Sequence, residues 1–303
     1  MKPEQFHALF TMNCLPPNGP RMIRGPLDYD DARRNMMSFA EVMASERLRG
    51  TFFIAPEGLK HMADTARELA AAGMELGVLS HPQLSSYQSY LGCYGYERER
   101  EIIHMHKQLW EDRLGEPAVN FRAGFFSASD YTFQILCVEG FRQTSCSLPG
   151  RVDPEQCSLW QKAFPFPHHT DPLDRRLKGT MELYEAPVTS QFGAREHVRA
   201  ETFTPPHLRI EEPQINDYAE GLIEGCLRQM GEERVAVRSV TFVTENWIGW
   251  GGAEDPLTER LRNLAGLLRM LADRLDMTLV ASDLAALHAA EDVHWRTSGE
   301  AVA

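Results

Sequence analysis

The sequence predicts an α/β protein built on a parallel sheet, either a barrel or a doubly wound layer. Three features carry that prediction. Short apolar runs alternate with amphipathic segments of ten residues or more, the pattern of strand–helix–strand crossovers. Proline and glycine punctuate several of the joins, as at Pro16-Pro17-Asn18-Gly19-Pro20, Pro56 and Asp255-Pro256. Several apolar runs end in polar clusters, as the carboxyl ends of parallel strands do where they carry a site.

The first run, residues 7–14, reads as a strand and stops at Leu15-Pro16-Pro17-Asn18-Gly19-Pro20. Residues 28–46 place Ala32, Met36, Phe39, Ala40 and Met43 at three- and four-residue spacing, a helix with one apolar face. Thr51 to Ile54 is a second strand, and Pro56 opens a helix with Leu59, Met62, Ala66 and Leu69 on its buried side. Leu76 to Leu79 is a third strand, ending at Ser80-His81-Pro82. A helix over 97–114, a strand over 118–121, a helix capped by Ser129 and a strand after Gly140-Phe141-Arg142 continue the alternation. Residues 151–212 differ: they are rich in proline and aromatics around one expected strand, 181–188, and read as a rim or lid over the sheet. A helix over 217–230, a strand over 235–244, a helix opened by Asp255-Pro256 and a last strand over 277–281 complete the unit. These elements make one domain over 5–290 with 151–212 inserted in it, and a frayed tail over 291–303.

The 303 residues carry 31 Lys and Arg against 43 Asp and Glu, a net charge of −12, which argues against a nucleic-acid partner. Neither a signal peptide nor a membrane-spanning run is apparent, so a cytoplasmic, membrane-free setting is expected. The six cysteines include no C-x-x-C pair and are expected to be reduced thiols rather than a disulfide framework.

Phe10-Thr11-Met12-Asn13-Cys14, Thr51-Phe52-Phe53, Glu75-Leu76-Gly77 before His81-Pro82, and Phe121-Arg122-Ala123-Gly124 follow one another in the order and spacing of known motifs. The chain resembles the polysaccharide deacetylase family, the NodB-type carbohydrate esterases. Gly140-Phe141-Arg142, Ser145, Leu148-Pro149-Gly150 and residues 182–188 resemble a branch of that family. The resemblance spans residues 5–290. It implies a distorted (β/α) barrel of about seven strands, a divalent metal such as zinc at the mouth, and hydrolysis of an acetyl group on an amino sugar or glycan precursor. There the metal polarises the carbonyl and a water, a carboxylate takes the proton, an arginine orients that carboxylate and a late-strand histidine is the acid.

Measured against those motifs, Asn13 stands at the base, and an amide takes no proton at neutral pH. Cys14 stands at the first metal position, Leu79 and Gln83 at the two histidine positions, and Val243 at the late-strand acid. His81 falls between the histidine positions, and Arg122 matches the motif arginine. The candidate catalytic residues are therefore Asn13, His81 and Arg122, with Cys14 and His81 as the metal candidates. Glu245, Trp247 and Trp250 follow a strand end and are the candidate substrate contacts, because aromatic rings stack on the apolar faces of sugars.

Each has a plainer reading: His81 as a hydrogen-bonded structural histidine, Cys14 as a small buried hydrophobe, Asn13 as a loop tether, Arg122 as a clamp on Glu75 or strand-end carbonyls, and the tryptophans as rim packing. His104 and His106, two apart on a helix, point to different faces and are expected in solvent. His168, His169 and His207 lie in the rim, in a surface turn or folded over the mouth. Three roles stay open: a hydrolase with altered chemistry, a non-catalytic protein holding a carbohydrate or small ligand in the same mouth, and a partner-binding protein.

Overall fold

The computed structural model describes residues 4–17, 19–20, 23–193, 201–251 and 255–298. β1 (Glu4–Cys14) is the central strand of a curled parallel sheet. On one edge it pairs with β10 (Arg238–Glu245); on the other it pairs with β2 (Gly50–Ile54) through its upper half and with β11 (Met277–Ser282) through its lower half. From β2 the sheet continues through β3 (Glu75–Ser80), β4 (Asn120–Ala123), β5 (Gln143–Thr144) and β9 (Tyr184–Glu185), all parallel, to the antiparallel β8 (His168–His169). A short hairpin, β6 (Val152–Asp153) and β7 (Ser158–Leu159), lies apart. Backbone hydrogen bonds from Thr189 to Thr241 and between Leu208, Ile210 and Val243 bridge the gap between β9 and β10, so the rim segment closes the curl.

The outer face is covered by α1 (Tyr29–Ser45), α2 (Leu59–Ala71), α3 (Tyr96–Leu114), α4 (Thr132–Val138), α5 (Ile215–Glu232) and α6 (Pro256–Arg274). Asp28 and Asp255 cap α1 and α6 by accepting from Asp31 N and Thr258 N. Leu261, Leu264, Leu268 and Leu271 of α6 are buried, each contributing about 1.5–3 kcal/mol of transfer free energy. Period-two alternation decides which side chains reach the interior: Phe10, Met12 and Cys14 of β1 join the helix-facing core, whereas Leu9, with Phe53 and Leu79, joins a second, inner cluster.

Two expected segments come out differently. The strand over 181–188 shrinks to the two residues of β9, because the flanking backbone bonds to Thr170, Thr144 and Ser147 as isolated pairs. The frayed tail is corrected to a helix, α7 (Leu284–Ser298); residues 299–303 lie outside the described part. Glu75, at the start of β3, accepts from Leu284 N and Ala285 N, and Leu284 and Leu287 enter the inner cluster, so α7 plugs the amino-terminal end of the barrel. Among the described residues no helix is long and apolar enough to cross a membrane, and the six cysteines are free.

His106 is also a correction. It is buried beneath β3, with Nδ1 2.9 Å from Ser80 Oγ and Nε2 3.0 Å from Glu57. Two turns earlier on α3, Glu99 is buried against Ser129 and Thr132, both of which donate to it, and burial pushes its carboxyl up to about 7. A carboxyl raised in the folded state binds more protons there than in the unfolded chain. Its effect therefore lowers stability as pH rises from its ordinary value of 4.5 towards 7. Glu99→Gln should remove that fall, on the order of 3 kcal/mol, from urea unfolding compared between pH 4.5 and 8. A stability difference between the two proteins that stays constant with pH would contradict it.

Candidate functional site

At the carboxyl ends of β1, β3, β4 and β10 a cavity of about 250 Å3 opens, lined by Asn13, His81, Arg122, Phe125, Phe126, Arg151, Arg209, Glu245, Trp247 and Arg24 among others. A more open groove of 530 Å3 runs along α5, but its lining of Tyr218, Gly221, Leu222, Gly225 and Cys226 brings no cluster of reactive groups.

Arg122 holds the mouth together from below. Its side chain is 1% exposed and lies over the Phe53 ring at 4.3 Å. It donates to Ser145 O (2.8 Å), Ser145 Oγ (2.6 Å), Thr11 Oγ1 (2.8 Å) and Asn13 Oδ1 (3.1 Å), and makes no contact with Glu75. Burial lowers Arg122 to about 10, so it stays charged at neutral pH. Asn13 passes the network on, donating to Glu245 at 3.0 Å. Glu245 also accepts from Arg209 at 3.1 Å, and Arg209 reaches Glu211 at 2.6 Å. Burial raises the Glu245 carboxyl; Glu211 and Glu245 together outweigh burial at Arg209 and hold it above its ordinary value.

His81 forms the opposite wall. Burial lowers it to about 4, so the ring is neutral at pH 7, and its buried Nδ1 has no hydrogen-bond partner. The ring lies flat over Gly124, where a Cβ would come within 2.2 Å of it. Phe125 and Phe126 both follow Gly124 with φ of 57°, an unfavourable left-handed turn for aromatic residues that sets Phe125 edge-on to His81 at 5.1 Å. Arg151 adds a buried Nε that also has no partner.

Several expected roles do not survive the geometry. Cys14 points out of the barrel into the helix-facing core, and burial, then the charge of Glu245, pushes its thiol well up; it offers no thiolate to the mouth. Trp250 is a core residue, 1% exposed and packed on Phe39 at 4.7 Å, so it touches no ligand; Trp247, beneath Arg24 at 4.0 Å, is the tryptophan at the cavity. Leu79 belongs to the inner apolar cluster. Asn246 is buried and exchanges hydrogen bonds with both backbone groups of Leu15, which ties the ends of β1 and β10. His168 is buried against Phe164, His169 lies at the other end of the barrel, and His207 is held by Pro205 O, so none folds over the mouth as a ligand.

A divalent metal does not fit this mouth. Among the described residues, the cluster with converging histidine, cysteine or carboxylate donors is His169, His288 and Asp292, not a set around His81. Of the three family metal positions, Leu79 is hydrocarbon, Gln83 brings a neutral amide, and Cys14 faces the helix-side core with its thiol raised by burial. What the sequence reading missed is the cationic lining: Arg151 and Arg209 come from the rim segment, far along the chain from Arg122.

No protein-family model matches the chain, and no curated protein matches it. Among solved structures, proteins of Mycobacterium smegmatis and Pseudomonas aeruginosa PAO1, both assigned as polysaccharide deacetylases, superpose over 98% of this chain and 93% of theirs. Each gives a TM-score of 0.59, at 15% and 12% identity. The PuuE allantoinase matches over 98% of this chain and 92% of its own, at TM-score 0.59 and 12% identity. The chain has the NodB-type deacetylase fold. At these identities the likeness speaks for the fold alone.

Proposed function

We propose that the chain binds a small carboxylated carbohydrate, or another sugar-sized acid, in the barrel mouth without metal-dependent hydrolysis. One observation carries this: in a chain of net charge −12, the cavity is lined by four arginines, Arg24, Arg122, Arg151 and Arg209, and one carboxylate, Glu245, with Glu211 and Asp153 paired to Arg209 and Arg151 from outside the lining. A carboxylate suits such a lining because guanidinium forks bind it bidentately. The volume of about 250 Å3 limits the ligand to roughly monosaccharide size. Trp247 and Phe125 supply aromatic surface beside the cations.

The other reading is hydrolysis of an acetyl amide or ester on an amino sugar, and it draws on the fold. Glu245 is the mouth group that favours it, a carboxylate in the cavity lining that burial makes more basic. Arg209 and Asn13 both engage that carboxylate, which opposes proton transfer. Calorimetric titration with a uronate, beside an assay for acetate released from N-acetylhexosamines, separates the readings. Saturable binding of the acid without acetate release supports the proposal. Acetate release that vanishes in Glu245→Gln would replace it with hydrolysis.

A further inference from the structure

The geometry points to a divalent metal site of the zinc class at the base of the barrel, opposite the mouth, formed by His169, His288 and Asp292. One donor atom from each lies within 4.8 Å of the others. Tetrahedral zinc with bonds of about 2.0–2.1 Å needs donors about 3.3 Å apart, so closure requires a modest inward shift. Asp292 is exposed, and its side chain has room to supply it.

Of the two imidazoles, His169 is already arranged for the task, and His288 becomes so on rotation of one neighbouring amide. His169 Nδ1 lies 2.8 Å from the carbonyl oxygen of Met181; a carbonyl accepts, so Nδ1 carries the proton and Nε2 keeps its lone pair. Fixing one ring nitrogen on a backbone carbonyl is the usual support of a metal-bound histidine. Gln143 Nε2 lies 2.9 Å from His288 Nδ1 and donates to it, so Nε2 of this ring carries the proton; turning the Gln143 amide by 180° brings its oxygen to Nδ1 and frees Nε2 for the metal. Tyr184 stacks on His288 at 4.9 Å with the planes 3° apart, and meets His169 edge-on at 5.3 Å; the two imidazoles are 5.3 Å apart. His288 and Asp292 are one helical turn apart on α7, and such residues share a face. Two imidazoles and one carboxylate with a position left open are a zinc-type donor set, with cobalt and nickel as close substitutes.

Such a metal would pin α7, the plug of the barrel, to the β8–β9 hairpin of the rim segment. The site ties a terminal helix to the rim segment, and it stands apart from any reading of the mouth.

Metal content after zinc loading and desalting, with the melting temperature in zinc and in EDTA, tests it on the full chain. One zinc per chain and a higher melting temperature in zinc are expected. His169→Gln, His288→Ala and Asp292→Asn should each lose most of the metal and the zinc-dependent shift; Asp292→Asn is an exposed, near-isosteric change that leaves folding intact. The Sγ atoms of Cys93 and Cys157 approach to 2.7 Å near the surface and are the competing site, so the cobalt form and Cys93→Ser are measured beside them. Cobalt bound with thiolate charge-transfer absorption and lost in Cys93→Ser would overturn the assignment, as would protein that takes up no zinc.

Discussion

Replacing Arg122 with methionine is expected to destabilise the fold by about 3–5 kcal/mol, the range for removing one partner from a buried charged network. The guanidinium is wholly buried and serves four acceptors on β1 and in the loop after β5. Methionine fills much of the stem volume but leaves Ser145 O, Asn13 Oδ1 and Thr11 Oγ1 facing no donor, each at about 1–3 kcal/mol before relaxation. It also takes away a positive charge near the buried carboxylates Glu185 and Glu245. Arg122→Lys should lose less, because it keeps the charge but not the fork. Urea unfolding measures both, with the slope unchanged if only the native state is affected. A loss below about 1 kcal/mol for Arg122→Met would mean the network is not holding the strands.

Trp250→Ala and Trp247→Ala should separate cleanly. Trp250 is buried against Phe39 between α1 and the loop that follows β10, and truncating such a side chain costs about 3–5 kcal/mol. Its removal should leave ligand affinity of the remaining folded protein within about threefold, because it is not among the residues that line the cavity. Trp247 is half-buried at the mouth, so its loss should cost under about 1 kcal/mol of stability. It should weaken ligand binding roughly tenfold, as loss of an aromatic contact and its cation partner does. Thermal unfolding and titration of both variants check this; reversed effects would put Trp250 at the site after all.

Much of this was legible in the sequence because the signals were local. Strand β1, with Asn13 at its end, and α6, with its leucine stripe, follow from spacing alone, and Asp255-Pro256 marks the start of α6 as capping chemistry requires. Helix α7 was missed because its signal is weak: Leu284 and Leu287 make only a short apolar face, and its amino end is held by Glu75, about two hundred residues away. His106 was expected in solvent because its polar partners, Ser80 and Glu57, come from other elements. Trp250 and Trp247 sit three apart in one short loop, and only the turn tied by Asn246 decides which enters the core. The arginine lining was illegible for a similar reason. Arg151 and Arg209 lie at the ends of an irregular segment whose path is fixed by backbone pairing to β10, not by a motif.

The claim that the mouth takes an acid and not a neutral sugar is tested most directly by calorimetric titration of glucuronate and glucose. The titrations are run in EDTA, on the unaltered protein and on Arg151→Gln. The two sugars differ at one carbon, so the comparison isolates the carboxylate. Glucuronate alone should bind, more weakly as salt is raised, and Arg151→Gln should reduce its affinity by roughly 10–100-fold, the value of one charge-assisted hydrogen bond. Equal binding of the two sugars, or glucuronate binding indifferent to Arg151→Gln and to salt, would contradict the account.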